Sequence, residues 1–529
     1  MNKKLALALS LVLTIALLLS SAAVAEDLPK VLYFGQAYAG TALDMQISTN
    51  SGTASIADLV TESLIRFDDN NELQPILLTK LPDVSEDGLV YSFELKEGVY
   101  FTDGTELHSS DVKFTLERLF NPDTHAGSTS FFTMIEGSTA ILKGEATELS
   151  GFETVDDYHF NITLEFPFAP FVKNMATSYA DIFPEKATTE AGKQWGLSTN
   201  LIGTGPYKVK ENDDSTEVVL IKNENYHGGE VLLDEIHFIY YDNADTKLLA
   251  YENGDIDVSD LPASQLLQYQ SLYPDEVHPY NPPGTYFVHL NLKNEYLADI
   301  NVRKAISLAI NREELIDTIL NGSGIPATSF LNYKIPGHDD SLGVYEYDPD
   351  QARQLLADAG YTEPITLNAE VREGDALTIT AVQGYLQEVG INLNISIVDS
   401  ATWTSDRSAG NIEVTSLSWN ALFPDGDSQF YTYFYSTAAA GRSVFYASEE
   451  FDQLLDNGRL NTNEDERAEL YRQADYLFSR EDYVAIPLYY PQNNYLAKPH
   501  VIGFELPNLI FHFWNTDVDA AASAAVHGN

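Results

Sequence analysis

Gly203-Thr204-Gly205-Pro206-Tyr207 is one of a set of short strings that run in fixed order along the chain. Upstream lies Asp87-Gly88-Leu89-Val90-Tyr91-Ser92-Phe93-Glu94-Leu95, a turn followed by residues that alternate like a half-buried strand. Downstream come Asn253-Gly254-Asp255-Ile256-Asp257, Val302-Arg303-Lys304-Ala305-Ile306, Asp348-Pro349 and Ala359-Gly360-Tyr361. Singly, such strings arise wherever strands, turns and helix caps occur. Their information lies in their number and their order.

Around them the pattern of elements is mixed. Residues 31–34, 89–95, 160–166, 218–221, 235–241, 391–398, 413–418 and 486–490 read as strands. Residues 57–65, 111–120, 246–251, 449–460 and 464–478 read as helices, and 49–53 as a polar loop. Asn311 with Glu314 forms a capping box ahead of Leu315, Ile316, Ile319 and Leu320, with Gly322 as the stop. Asp348 caps a second helix with Pro349 in its first position and Gly360 at its end. Strands and helices alternate irregularly, which predicts an α/β or α+β fold. Pro274, Pro279, Pro282, Pro283 and Gly284 mark the best candidate for a chain crossing between domains. The small-residue tail after Asp519 is expected to be disordered.

With 529 residues, the chain exceeds one typical domain. Lys3 and Lys4, an apolar run over 5–19 and Ala23-Val24-Ala25 read as a secretory signal cleaved after Ala25. The run is too short to span a bilayer comfortably. There is no cysteine, so disulfides, Cys-ligated zinc, thiol catalysis and a lipidated cysteine are all excluded. The mature protein is expected outside the cytoplasm, in the periplasm or at the cell surface, without a lipid anchor. The net charge of −49 disfavours nucleic acid and anionic membranes as partners. The acids are scattered, which fits an acidic surface adapted to its surroundings as well as a cationic substrate.

Chemical motifs are sparse. The eleven histidines are dispersed, no H-E-x-x-H occurs, and no metal site is expected. Asp425-Gly426-Asp427 lacks the rest of a calcium loop and reads as a turn. No G-x-S-x-G elbow and no Walker motif is present. No catalytic residue and no cofactor is therefore expected. Residues 404–434 stand out: Arg407, a strand ending near Ser418, then Trp419-Asn420-Ala421-Leu422. An arginine, a strand end and a tryptophan so close together suit a ligand-facing wall, where backbone groups can bond an extended peptide. They equally suit a core tryptophan and a surface ion pair.

The ordered strings, with Asn223-Glu224-Asn225-Tyr226, Leu233-Asp234-Glu235-Ile236, Tyr286-Phe287-Val288-His289-Leu290-Asn291 and Ala485-Ile486-Pro487-Leu488-Tyr489, resemble family 5 of bacterial extracellular solute-binding proteins. That family includes oligopeptide, dipeptide, nickel-complex, glutathione and some sugar binders. The resemblance spans roughly 30–515. It implies an α/β, two-lobed, periplasmic-binding-protein-like fold (type II, the large three-part version) that closes by a hinge. Lobe one would hold 26–58, 186–278 and 489–529, with 59–185 inserted as a subdomain; lobe two would be 279–488. The implied function is capture of a peptide or related small solute by a monomer, and delivery to ABC permease subunits. An oligosaccharide, a glutathione-like compound or a metal chelate is the rival ligand, and a secreted hydrolase the rival from another class. A sensor that presents its ligand to a receptor is a third reading.

The resemblance also assigns ligand contacts. The segment Ser416, Leu417, Ser418, Trp419, Asn420, Ala421 and Leu422 would face the cleft, with Arg407 meeting a ligand carboxylate. Thr49, Asn50 and Ser51 would line the cleft, and Tyr286 and Tyr489 would form aromatic walls. In peptide-binding relatives an Asp three residues after the Trp pairs with the peptide amine; here that position is Leu422. A second family Arg is replaced by Ser416. Both departures imply a cleft stripped of charged anchors, suited to a blocked or longer peptide, a glycoside or a chelate.

Overall fold

A computed structural model describes residues 28–38, 40, 42–48, 50–68, 70–213, 215–505, 513 and 515–527. The signal expected at 1–25, and Thr49, lie outside these residues. Among the described residues no helix is long and apolar enough to cross a membrane.

Two large sheets organise the chain. The first has seven strands in the order Val277–Tyr280, Asn493–Ala497, Val258–Leu261, Val31–Gln36, Glu235–Tyr240, Glu217–Lys222 and Tyr207–Asp213. Val31–Gln36 runs parallel to both of its neighbours, and the other pairs are antiparallel. The second has six, in the order Gly324–Pro326, Ala485–Pro491, Gly284–Leu290, Val414–Asn420, Ile365–Val371 and Ile391–Ile397. Gly284–Leu290 is buried at every position, as a central strand covered on both faces must be. Two apolar clusters cover this sheet; Val288 and Ile486 belong to one, Phe287 and Leu417 to the other.

A smaller four-stranded sheet, Asp83–Val84, Val90–Glu94, His159–Thr163 and Phe152–Thr154, lies between the first strands in sequence. Its Phe93, Phe160 and Ile162 share one continuous core with Leu32 and Phe34 of the seven-stranded sheet. It is therefore part of the first lobe. The chain passes between the lobes twice. It leaves the seven-stranded sheet at Tyr280 and enters the six-stranded one at Gly284, with Pro282 and Pro283 restricting the passage. It returns between Pro491 and Asn493. Pro279 and Tyr280 thus pair on the first-lobe side, and Tyr489 on the second.

Four expectations are corrected. The tail after Asp519 is a helix, Ala520–His527, not disordered chain. Its alanines favour helix, and His527 Nε2 docks on Asp257 Oδ1 at 2.9 Å. Residues 49–53 are not one loop: Ser51–Ala57 is a helix whose cap, Asn50, accepts from the Gly52 amide at 2.8 Å. The helix read over 57–65 accordingly ends at Ala57, and Ile65–Phe67 is a strand. Asp425-Gly426-Asp427 is not a simple turn but the start of the helix Gly426–Phe434, with Asp425 as its cap.

Candidate ligand-binding cleft

Two of the strings, Gly203–Tyr207 and Asn223–Tyr226, meet behind one wall. Gly203 and Gly205 lie against the backbone of Leu59 and Val60, where no side chain fits: a Cβ on Gly205 would sit 2.7 Å from Leu59 O. The Gly205 amide donates to Val60 O at 3.0 Å and that of Tyr207 to Leu59 O at 2.9 Å. Asn223 Nδ2 donates to Gly205 O at 2.8 Å. Between these glycines, Thr204 Oγ1 donates to Glu62 at 2.8 Å, and Tyr226 Oη does the same. His227 Nε2 completes the set around Glu62 at 2.7 Å. The segment 58–66 is thereby fixed from behind, with its front facing a cavity.

That cavity has a volume of about 700 Å³ and lies between the lobes. The first lobe supplies Gln36, Asn50, Ser51, Asp58, Glu62, Arg66, Lys247 and Asp260. Ser178, Tyr179 and Asp181 join them from the same lobe. The second lobe supplies Asn420, Leu422, Phe423 and Pro424, and the crossings supply Pro282, Pro283 and Asn493. Phe67 and Phe423 face each other across the gap with ring centroids 6.0 Å apart. Three wall atoms are enclosed with no hydrogen-bond partner: Gln36 Nε2, Asp58 Oδ1 and Tyr280 Oη. Each such atom costs about 1–3 kcal/mol unless something pairs with it.

The lobes touch on one side of this cavity. Lys173 of the first lobe bonds Asp425 at 2.7 Å and Glu464 at 3.0 Å in the second lobe. The Ala169 amide donates to Arg459 O at 2.8 Å, and the Arg459 guanidinium lies 5.0 Å from the Phe168 ring centre. The lobes are thus tied together on this side, while the cavity stays half-open.

The residues assigned by the resemblance fall into groups. Asn50, Ser51, Asn420 and Leu422 line the cavity. Gly284 leaves the space that the Asn420 side chain occupies. Trp419 is half-buried beside them, its indole donating to Gln429 O at 3.0 Å, and Ser418 Oγ bonds Asn420 Oδ1 at 3.1 Å. Ser416, Leu417 and Ala421 are buried inside the second lobe, off the cavity wall. Tyr286 and Tyr489 stack on one another at 4.8 Å in the core of that lobe. The cavity's aromatic walls are instead Phe67, Tyr280, Phe423 and Tyr495. Arg407 stacks on Trp403 at 4.3 Å and stands beside Arg442; neither forms an ion pair with a described acid. Asp425 and Asp427 are not open to a ligand amine. Asp425 is held by Arg467 at 2.6 Å and by Lys173, and Asp427 by Arg459 at 2.5 Å.

Sequence reasoning missed the first-lobe wall. Asp58, Glu62 and Asp181 are single acids in a chain with 79 of them, and only the fold gathers them. It also missed a convergence of dispersed histidines: His500 and His527 both reach Asp257 Oδ1, at 2.7 and 2.9 Å. These three ligand-type atoms lie within 4.8 Å of one another. Tyr33 N donates to the other oxygen at 2.9 Å, so the arrangement is a hydrogen-bonded clasp on the last helix.

Two lobes, two crossings and a cavity between them define a hinged solute-binding protein. The model of bacterial extracellular solute-binding proteins, family 5, matches residues 72–441, and the chain belongs to that family. It is 25% identical over 441 residues to the periplasmic oligopeptide-binding protein OppA of Salmonella typhimurium, covering 79% of this chain and 80% of that one. To the dipeptide-binding protein DppE of Bacillus subtilis it is 25% identical over 496 residues, covering 90% and 89%. Among solved structures, the periplasmic binding protein DppA of Helicobacter pylori in complex with peptide STSA superposes with a TM-score of 0.80, at 24% identity, over 93% of this chain and 98% of that one.

Proposed function

We propose that this protein captures a peptide or a closely related small solute between its lobes and delivers it to an ABC permease. The observation that carries the reading is the inter-lobe cavity of about 700 Å³, with enclosed, unpaired polar atoms on its wall. Such a volume suits a ligand of a few residues. The relatives whose names record peptide binding support the choice of ligand. Asn50, Ser51, Asn420 and Leu422 are assigned as ligand contacts. Arg407, over Trp403, and Arg442, over Trp419, have no acidic partner among the described residues and lie off the cavity wall; the carboxylate role read for Arg407 stays a proposal for a ligand that reaches beyond the cavity. The first lobe is assigned 26–58, 186–278 and 489–529, with 59–185 inserted, and the second lobe 279–488. The work is binding and release by a secreted monomer, with no covalent step.

Native mass spectrometry of freshly purified mature protein, followed by sequencing of whatever it releases, tests the reading. A family of peptide masses is expected. A single non-peptide mass or a metal complex would replace the peptide by a glycoside or chelate. Turnover of peptides or glycosides by the pure protein would overturn the binding function.

A further inference from the structure

The cavity wall carries an excess of acid on one side. Asp58, Glu62, Asp181 and Asp260 line it, against Arg66 and Lys247 as its lysine and arginine side chains. Lys247 is already paired with Asp260. Glu62 receives Thr204, Tyr226 and His227. Asp58 and Asp181 remain, with Arg66 as the cation nearby.

The two come from different elements. Asp58 follows the helix Ser51–Ala57, and Asp181 follows the turn Ser178–Ala180. Asp181 is 3% exposed, and one of its oxygens accepts from Thr61 Oγ1 at 2.6 Å. Asp58 Oδ1 is enclosed and makes no hydrogen bond, although the carboxyl stands near Ser178 and Arg66. A folded protein rarely leaves a carboxylate oxygen in that state unless another molecule completes it. Burial, tempered by Ser178 and Arg66, pushes the Asp58 carboxyl up to about 7. Burial and the Asp58 charge, with Glu62 and Asp44 behind, push Asp181 well above the usual carboxylate range despite Thr61. A cation seated between the two carboxyls would favour their charged forms and so displace a proton.

We infer that Asp58 and Asp181 form the receptor for a primary ammonium group of the bound solute, on the first-lobe side of the cleft and not at position 422. This rests on the solute-binding reading of the cavity. An ammonium offers three donors in a compact head, which fits two carboxylates on neighbouring elements better than a planar guanidinium does. It also accounts for Leu422: the cleft has moved its anionic anchor to the other lobe.

The test is isothermal calorimetry of the unliganded protein with three probes: Ala-Ala-Ala, N-acetyl-Ala-Ala-Ala and 1,5-diaminopentane. Titrations in two buffers of different ionisation enthalpy count the protons exchanged. Acetylation is expected to weaken tripeptide binding about tenfold or more, with proton release on binding the free amine and none with the blocked peptide. Asp58→Asn and Asp181→Asn, each checked for an intact melting transition, are expected to erase both differences. These readouts on the unaltered protein stand even if a variant fails to fold. Equal affinity for free and blocked tripeptide, or Asn variants that keep the preference, would overturn the ammonium site and leave the peptide reading intact. Binding of diaminopentane alone, lost in the Asn variants, would uphold the site and overturn the peptide reading. If none of the three binds, the ammonium site falls, and the masses released in native spectrometry decide the peptide reading separately.

Discussion

Asp425 sits between two cations from distant parts of the chain, Arg467 within its own lobe and Lys173 from the other. Burial alone would raise its carboxyl, but those cations hold it below the usual range. Arg467 is as deeply buried as the acid, and Lys173 is more exposed. The two contacts therefore have different duties. Arg467→Met leaves a buried charge with one partner and should cost about 3 kcal/mol of stability, read by urea unfolding. Lys173→Met should cost little stability and shift the protein toward an open form, read as a larger radius of gyration in X-ray scattering. Equal losses of stability in the two variants would contradict this division. At this scale the sequence shows little. It marks Asp425 and Asp427 only as acids near a glycine, because their partners lie more than thirty residues away.

At the scale of elements, the Gly203–Tyr207 string is a brace for the segment that carries Asp58 and Glu62. Gly205→Ala would push a methyl against Leu59 O and the Val60 carbonyl group, which are backbone and cannot swing aside. A loss of about 1–3 kcal/mol is expected in thermal or chemical unfolding, with weakened ligand affinity as the wall shifts. The last helix depends on Asp257. Burial raises its carboxyl, but His500, His527 and the Tyr33 amide lower it more, to below the usual range. A carboxyl depressed in the folded state contributes stability above its unfolded pKa of about 3.9 and loses it as pH falls through the folded value. The helix should thus stay docked down to about pH 4 and detach below it, seen as fast amide exchange over 520–527. Detachment at neutral pH would show that the clasp does not hold it. Periodicity and caps made several elements legible, including 449–460 and the Asp348-capped helix. The alanine tail carried no such pattern, since its anchor is one histidine on a distant acid.

At the scale of the molecule, the ordered strings revealed the two-lobed family, and the segment around Trp419 pointed to one face of the cleft. The opposite face was not legible, since Asp58 and Asp181 are 123 positions apart and meet only in the folded chain. Their strain has a whole-molecule signature. Asp58 is raised in the folded state to about 7, so its contribution is favourable only while it stays protonated. Stability of the unliganded protein should fall as pH rises from about 4 through about 7 on account of this group, and Asp58→Asn should flatten that slope in denaturant titrations. A slope unchanged in the variant would mean that the carboxyl is already satisfied.

The seven-stranded sheet places Asn493–Ala497 between Val277–Tyr280 and Val258–Leu261, next-but-one to the opening strand Val31–Gln36. A ribosome or export channel releases Val31–Gln36 first and Asn493–Ala497 nearly last. Until then the sheet has a gap, with the hydrogen-bonding edge of Val258–Leu261 exposed to any passing strand. The second lobe waits as well, since its strand Ala485–Pro491 is also late in the chain. Neither large sheet can close until these last strands emerge, and such long-range pairing makes the closing step slow.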